Sequence, residues 1–349
     1  MKIQHIVKVI DNYEKLELFR SKNYYVELLK KEILKNFNYQ IDLIEKLMKL
    51  FPLNELVNFL LSNQKNRPLT IRFNTIKNEP NFIIDNLRNE GVEVYQLKNL
   101  CEIIGVIKSS KIRIGSTIEY ITGLYTIQGI SSILPVISMD PVKNEKILDM
   151  AAAPGGKTTL ISQIMSNSGF VVANDINLKR IKSLIANIHR LGIENTLVIN
   201  YNALILSKFL KGFDKVLIDA PCSGTGIISH DNNVKFLKIN KIIPIVTHLQ
   251  KKLLLAAIDS CNENSKTGGI IVYSTCSILV EENECVIQYA LGKRNIKIIP
   301  TGVSFGMPGY INFGKTKFDP SMSQCRRFFP HLHNIDGFFI CKIQKQKNI

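Results

Sequence analysis

Apolar residues recur every three or four positions through the first sixty residues, which predicts helices. The spans 24–34 and 41–51 carry this spacing, Pro52 ends the second, and a further helix starts at Leu53. At Arg67 the texture changes. Residues 69–74 alternate apolar and polar as a strand does, residues 80–90 read as a helix, and residues 92–95 as another strand. From about residue 127 short apolar runs alternate with helical stretches. Runs at 147–150, 170–175, 196–199, 216–219 and 270–273 predict strands. The span 158–167 predicts a helix stopped by Ser168 and Gly169. Asn177 is placed to cap a helix with apolar positions 178, 181, 184, 185, 188 and 191, closed by Gly192. Strands alternating with helices predict a parallel, doubly wound α/β sheet. The chain therefore reads as three parts: a helical region over 1–63, a small α/β module over 64–126 and a doubly wound α/β domain over 127–349.

A chain of 349 residues with 45% hydrophobic content supports a sizeable core. It has no run of eighteen apolar residues, so no membrane association is expected. The N-terminus lacks the charged-then-apolar pattern of a signal peptide. Cysteines stand at 101, 222, 261, 276, 285, 325 and 341. An odd count without a CxxC pair points to a reducing compartment rather than a disulfide framework or a Cys-rich zinc site. His331 and His333 form a candidate metal pair with no further ligands nearby, so no metal is expected. The net charge of +16 fits a partner with a phosphate backbone. A composition rich in Asn, Ile and Lys weakens that inference.

The first strand of the third part runs into Asp-Met-Ala-Ala-Ala-Pro-Gly-Gly-Lys-Thr at 149–158. Small residues and paired glycines let a ligand approach the backbone, and the following helix offers free N–H groups. Asp175 closes the second strand, twenty residues after Gly155. There a carboxylate accepts the two ribose hydroxyls of a nucleoside. Two phosphate-binding readings fail: G-x-G-x-x-G is absent, and Ala151 stands where a P-loop has its first glycine. A nucleoside bearing a carboxylate fits better, which points to S-adenosylmethionine. An ordinary tight turn would not bring the spaced aspartate with it.

Cys222 follows the fourth apolar run, within Asp-Ala-Pro-Cys-Ser-Gly-Thr-Gly at 219–226, and Cys276 follows the fifth, within Ser-Thr-Cys-Ser at 274–277. Most free cysteines are small buried hydrophobes. In a sheet of order 3-2-1-4-5, however, these two would face one cleft, because adjacent strands lie about 4.8 Å apart. Paired thiols suit methylation of cytosine at C5, which is a poor nucleophile. A thiolate that adds at C6 makes C5 reactive, and the adduct must afterwards be resolved, which gives a second cysteine a task. Asp219 is placed to hydrogen-bond the base and ease N3 protonation, or else to cap the following turn. Lys157 is the candidate for keeping the attacking thiol deprotonated.

These residues resemble the Sun/Fmu family of RNA cytosine-C5 methyltransferases. Ala-Pro-Gly-Gly-Lys-Thr, Asp-Ala-Pro-Cys-Ser-Gly-Thr-Gly and Ser-Thr-Cys-Ser occur in the family's order. Arg-Arg-Phe-Phe-Pro-His-Leu-His-Asn-Ile-Asp-Gly-Phe-Phe at 326–339 looks like its closing motif. Asp175 through Arg180, Asn187, Arg190 and Gly192 fit its second-strand helix, and 67–75 and 125–134 fit its upstream motifs. The spans 46–57, 265–269, 280–284 and 294–302 carry a narrower likeness to the nucleolar branch that acts on large-subunit ribosomal RNA. The resemblance implies a Rossmann-like methyltransferase sheet, S-adenosylmethionine as cofactor, and attack by Cys276 with release assisted by Cys222. It implies that Ala151, Ala152, Ala153, Pro154, Gly155, Gly156, Lys157, Asp175, Arg180, Asn202 and Asp219 line the cofactor pocket. It implies that Arg67, Arg72, Arg327 and His331 hold RNA, although Arg72 reads equally as a solvated strand residue.

Two departures stand out. The relatives carry a cysteine within the stretch that is Ala151, Ala152 and Ala153 here, a harmless change because backbone makes that contact. They carry Asp at position 202, where Asn keeps one acceptor and loses a charge, so weaker cofactor binding is expected. The long charged N-terminal extension of the nucleolar relatives is not in this sequence, so it reads either as their trimmed catalytic core or as a short version. The expected partner is pre-ribosomal large-subunit RNA in the nucleus and nucleolus, with the chain monomeric in isolation and joining pre-ribosomal particles. Transfer RNA as substrate, or a ribosome-assembly scaffold with dispensable catalysis, are the rival readings.

Overall fold

A computed structural model describes residues 2–16, 19–97 and 102–347. Cys101 lies outside these. Four strands, β1 (Thr70–Phe73), β2 (Val92–Gln96), β3 (Ile104–Ser110) and β4 (Tyr125–Ile127), form an antiparallel sheet in the order β2-β3-β1-β4. The large sheet is built on β5 (Lys146–Asp149), β6 (Phe170–Asn174), β7 (Thr196–Ile199), β8 (Lys215–Asp219) and β9 (Ile270–Thr275), all parallel to their neighbours. Their spatial order β7-β6-β5-β8-β9 is the expected 3-2-1-4-5. Four further strands extend the β9 edge in antiparallel sense: β10 (Ile296–Ile299), β11 (Met307–Pro308), β14 (Arg326–Phe328) and β15 (Phe338–Lys345). A short hairpin, β12 (Asn312–Phe313) and β13 (Thr316–Lys317), lies apart.

The local signals act as the sequence suggests. Asn177 accepts from the N–H groups of Lys179 and Arg180, which starts the helix Leu178–Leu191, and Gly192 at φ +70° ends it. The helix Gly156–Ile164 starts two residues earlier than predicted and stops sooner, at Ser166 and Asn167, both left-handed. All six residues of β9 are buried, as expected of a strand covered on both faces.

Strand β1 departs from its alternating pattern, because all four of its residues are buried. Ile71 and Phe73 pack with Ile83 and Leu87 of the helix Pro80–Asn89. Arg72, 1% exposed, reaches the helix Gly156–Ile164 instead of solvent. The N-terminal helices share one core with the large sheet: Leu43, Leu47, Leu56 and Leu60 cluster with Leu254, Val286 and Phe329. Among the described residues no helix is long and apolar enough to cross a membrane.

Candidate active site

The loop after β5 turns sharply into the helix Gly156–Ile164. Gly155 has φ +104°, a conformation that strains any residue with a side chain, and a Cβ there would also press on Leu184 Cδ1 at 2.8 Å. Asp175, 3% exposed at the end of β6, accepts from the Ala153 N–H (3.0 Å) and the Asn177 N–H (2.8 Å). A carboxylate has about four lone-pair sites, so capacity remains for two hydroxyls. Arg180 Nη2 donates to the Ala153 carbonyl and its Nη1 lies 3.8 Å from Asp175. Asn187 donates to the Pro154 carbonyl at 2.9 Å.

A cavity of about 300 Å³ opens beside this loop. Ala151, Ala153, Asp175, Arg180, Asn202 and Asp219 line it, and so do Cys222 and Cys276. Ile176, Leu249 and Leu253 supply its apolar wall. A few fixed polar groups on an apolar wall are what a small-molecule site requires. The carboxylate for ribose and the apolar wall for a flat base fit a nucleoside cofactor. Asn202 Oδ1 accepts from the Leu204 N–H at 3.0 Å, capping the short helix Ala203–Leu206.

Strands β8 and β9 are in register at Asp219 and Ser274, and each runs on into a cysteine turn. The Cys222 and Cys276 sulfurs lie 2.9 Å apart. The contact with Cys276, followed by burial, holds the Cys222 thiol well above the usual range. The Gly226 N–H donates to the Cys276 carbonyl (2.8 Å), and the Gly337 N–H to the Gly226 carbonyl (2.8 Å), so the closing motif braces both turns.

Asp219 accepts from the Ser274 hydroxyl (2.7 Å) and pairs with Lys157 Nζ at 2.6 Å. Lys157 also donates to Ser132 (3.2 Å). Lys157, the candidate for keeping the attacking thiol deprotonated, is thus engaged by a carboxylate, and among the described residues it makes no hydrogen bond to a thiol. Lys157 and Asp219 line a second cavity of about 240 Å³ with Gln128, Ala152, Pro154 and Gly156. The two cavities share Ala151, Ala153 and Asp219.

Three of the four expected RNA contacts are buried. The Arg72 guanidinium donates to the Gly156 carbonyl (2.9 Å) and the Thr159 hydroxyl (2.8 Å), tying the small sheet to the cofactor-side helix. Arg327, 1% exposed, is paired with buried Glu284 and donates to the Ile278 carbonyl. The His331 side chain, 4% exposed, packs against Phe51, Phe59 and Phe329. None of these three is free for a phosphate. Arg67 remains half-buried, with Nη2 on the Ser62 carbonyl (2.6 Å), and lines a cavity with His230 and Asp336. The His333 Nδ1 accepts from the Phe329 N–H at 3.0 Å.

Sequence reasoning missed other contributors. Glu282 is buried and accepts from both cysteine turns. Arg190, which the family resemblance named without a role, donates to the Tyr120 (2.7 Å) and Tyr125 (3.1 Å) carbonyls, a second tie between the sheets. Leu249 and Leu253 come from the helix Ile239–Ser260, whose apolar stripe reveals a buried face but not its neighbour.

The family model described as 16S rRNA methyltransferase RsmB/F matches residues 136–344. The chain is similar to the 28S rRNA (cytosine(4447)-C(5))-methyltransferase of Homo sapiens, with 48% identity over 99% of the chain and 43% of that protein. It is also similar to the tRNA (cytosine(49)-C(5))-methyltransferase of Pyrococcus abyssi (strain GE5 / Orsay), with 35% identity over 91% of the chain and 99% of that protein. Among solved structures, a methyltransferase homolog protein from Pyrococcus horikoshii aligns with a TM-score of 0.81 and 31% identity, over 90% of this chain and 98% of that one. The chain thus spans less than half the length of the human relative.

Proposed function

The chain belongs to the 16S rRNA methyltransferase RsmB/F family, and from that membership we propose that it methylates C5 of a cytosine in large-subunit ribosomal RNA. The observation that carries this reading is the 2.9 Å approach of Cys222 and Cys276 in the cavity that also holds Asp175. S-adenosylmethionine bound there supplies an electrophilic methyl group. Asp175 takes its ribose hydroxyls, and Ile176, Leu249 and Leu253 take the base. Ala151 and Ala153 leave room against the backbone.

Asp219, oriented by Lys157 and Ser274, hydrogen-bonds the cytosine and favours a proton at N3. The Cys276 thiolate adds to C6, and the electron pair of the C5–C6 double bond makes C5 the nucleophile that would take the methyl group, the sulfonium S–CH3 bond breaking with its pair left on the sulfur of a neutral thioether. The C5 proton then passes to water. Its bonding pair restores the double bond, and the C6–S bond breaks with its electrons on Cys276. The Cys222 thiol, in contact with that sulfur, donates a hydrogen bond to the departing thiolate.

The higher identity to a large-subunit enzyme than to a transfer-RNA enzyme supports ribosomal RNA as substrate. The net charge of +16 suits it. With that substrate the chain acts in ribosome biogenesis, in the nucleolus, on pre-ribosomal particles. The small sheet of residues 64–126, with Arg67 at its edge, serves as the RNA-binding module between the helical region 1–63 and the catalytic domain 127–349.

Bisulfite sequencing of total RNA with and without the active protein tests the substrate. Loss of a large-subunit site is expected; loss of a transfer-RNA site with ribosomal RNA unchanged would sink the reading. For the chemistry, Cys276→Ala should form no RNA adduct on a denaturing gel, and Cys222→Ala should accumulate one. The reverse pattern exchanges the two roles.

A further inference from the structure

Glu282 is fully buried in the turn Val280–Glu282 beyond β9. Its Oε1 accepts from the Ser223 N–H (2.8 Å) and the Gln250 amide (3.0 Å). Its Oε2 accepts from the hydroxyls of Ser223 and Ser277. Ser223 follows Cys222 and Ser277 follows Cys276, so one carboxylate ties together the two turns that carry the thiols. All four partners donate, which suits an ionised, acceptor-only group. A buried charge persists only with such partners.

Two sulfurs 2.9 Å apart do not both ionise, because each anion opposes the other. The pair can hold at most one negative charge, and its surroundings decide which sulfur carries it when one ionises. The ionisable groups facing Cys222 are Cys276, Glu282 and Tyr273, whose hydroxyl donates to the Glu282 carbonyl (2.7 Å). None of these three is a cation; Asp175, Asp219 and Arg180 line the same cavity. The carboxylate is not symmetric between the thiols. It grips the backbone N–H next to Cys222, and reaches the Cys276 turn only through a side-chain hydroxyl. Its charge is one of the causes that hold the Cys222 thiol up.

We propose that Glu282 is a positioning residue that keeps Cys222 protonated and so assigns the negative charge of the pair to Cys276. The inference rests on the reading of Cys276 as the attacking thiol. It explains how two adjacent cysteines avoid exchanging roles. A protonated Cys222 can donate to the Cys276 sulfur both before attack and as that sulfur leaves.

The test is partial alkylation of the full chain with limiting iodoacetamide at neutral pH, with both cysteine peptides quantified by mass spectrometry. Only thiolates react appreciably. In the wild type the label should fall mainly on Cys276. In Glu282→Gln the remaining carbonyl oxygen still faces Ser223 N–H and Gln250, and the two serine hydroxyls can turn to accept. The ratio of label on Cys222 to label on Cys276 should then rise about tenfold. Ser223→Ala removes one hydrogen bond but keeps the charge, and should keep the wild-type ratio. An unchanged ratio in Glu282→Gln overturns the proposal, as does an equal rise in Ser223→Ala. Predominant labelling of Cys222 in the wild type overturns it without any variant. An RNA adduct mapped to Cys222 in the wild type would instead overturn the mechanistic reading, so the two failures are separable.

Discussion

Arg72 donates to the Thr159 hydroxyl at 2.8 Å, across the boundary between the small sheet and the helix behind the cofactor loop. Its other nitrogen holds the Gly156 carbonyl in the first turn of that helix. Burial lowers the guanidinium pKa to about 9, with Arg190 adding to the effect. Arg72 therefore shapes the loop from outside the site. Arg72→Leu should weaken S-adenosylmethionine binding and lower stability by about 1–3 kcal/mol, the range for a buried acceptor left unpaired. Calorimetric titration and thermal melting measure both. The salt dependence of RNA affinity should stay as in the wild type; a shallower slope would return Arg72 to the RNA interface.

Asn202 uses its amide oxygen to cap the Leu204 N–H. Its free end is therefore the NH₂ group, a donor, whereas an adenine amino group needs an acceptor. Aspartate would cap with one oxygen and offer the other. Asn202→Asp should therefore tighten S-adenosylmethionine binding by roughly three- to tenfold, as a charge-assisted hydrogen bond does. An unchanged Kd would remove position 202 from the list of cofactor contacts.

The parallel core of the fold was legible because its strands are continuous apolar runs, and a strand buried on both faces has no other pattern. The cysteine pair was legible because each thiol follows such a run, so strand order alone brings them together. Arg72 was misread for the complementary reason. Periodicity reports which side chains are apolar, and an arginine in an alternating strand looks solvated until a second element covers that face. Arg327 and Glu284 lie 43 positions apart, and nothing local announces their pairing. Glu282 is one acidic letter among several in 281–284, and only the fold singles it out as the acceptor for both cysteine turns. The N-terminal helices show an amphipathic stripe, but not that it docks on the core of the large sheet.

His331 gives a pH-dependent prediction. Burial among Phe51, Phe59 and Phe329 lowers its pKa from 6.5 to about 4, and His333 adds to the effect. The unfolded chain therefore takes up this proton first as pH falls. The stability that comes from burying the neutral ring is full above pH 6.5 and is lost on descent towards pH 4. His331→Phe should remove up to about 3 kcal/mol of that acid sensitivity while leaving RNA affinity unchanged. Urea unfolding across this interval checks the first part, and filter binding the second. A drop in RNA affinity with unaltered acid stability would restore His331 as an RNA contact.

Asp149 works in the opposite sense. It is fully buried at the end of β5, and burial raises its pKa from 3.8 to about 6, opposed by the Thr158 hydroxyl on Oδ2 (2.7 Å). Between these values the folded chain holds a proton that the unfolded chain releases. Its contribution to stability is therefore full below pH 3.8 and is lost as pH rises through 6. Above pH 6 the buried charge costs about 3 kcal/mol. Asp149→Asn keeps an acceptor for Thr158 and removes the charge, so it should raise stability at neutral pH by about that amount. Because the Asp149 and His331 terms oppose each other, the wild type should change little between pH 6 and 4 on their account, and each single variant should expose the slope of the other. Asp149→Asn should therefore lose stability more steeply on acidification than the wild type, as read by the same urea series. A variant less stable at neutral pH, with an unaltered slope, would mean that Asp149 is charged and fully satisfied in the fold.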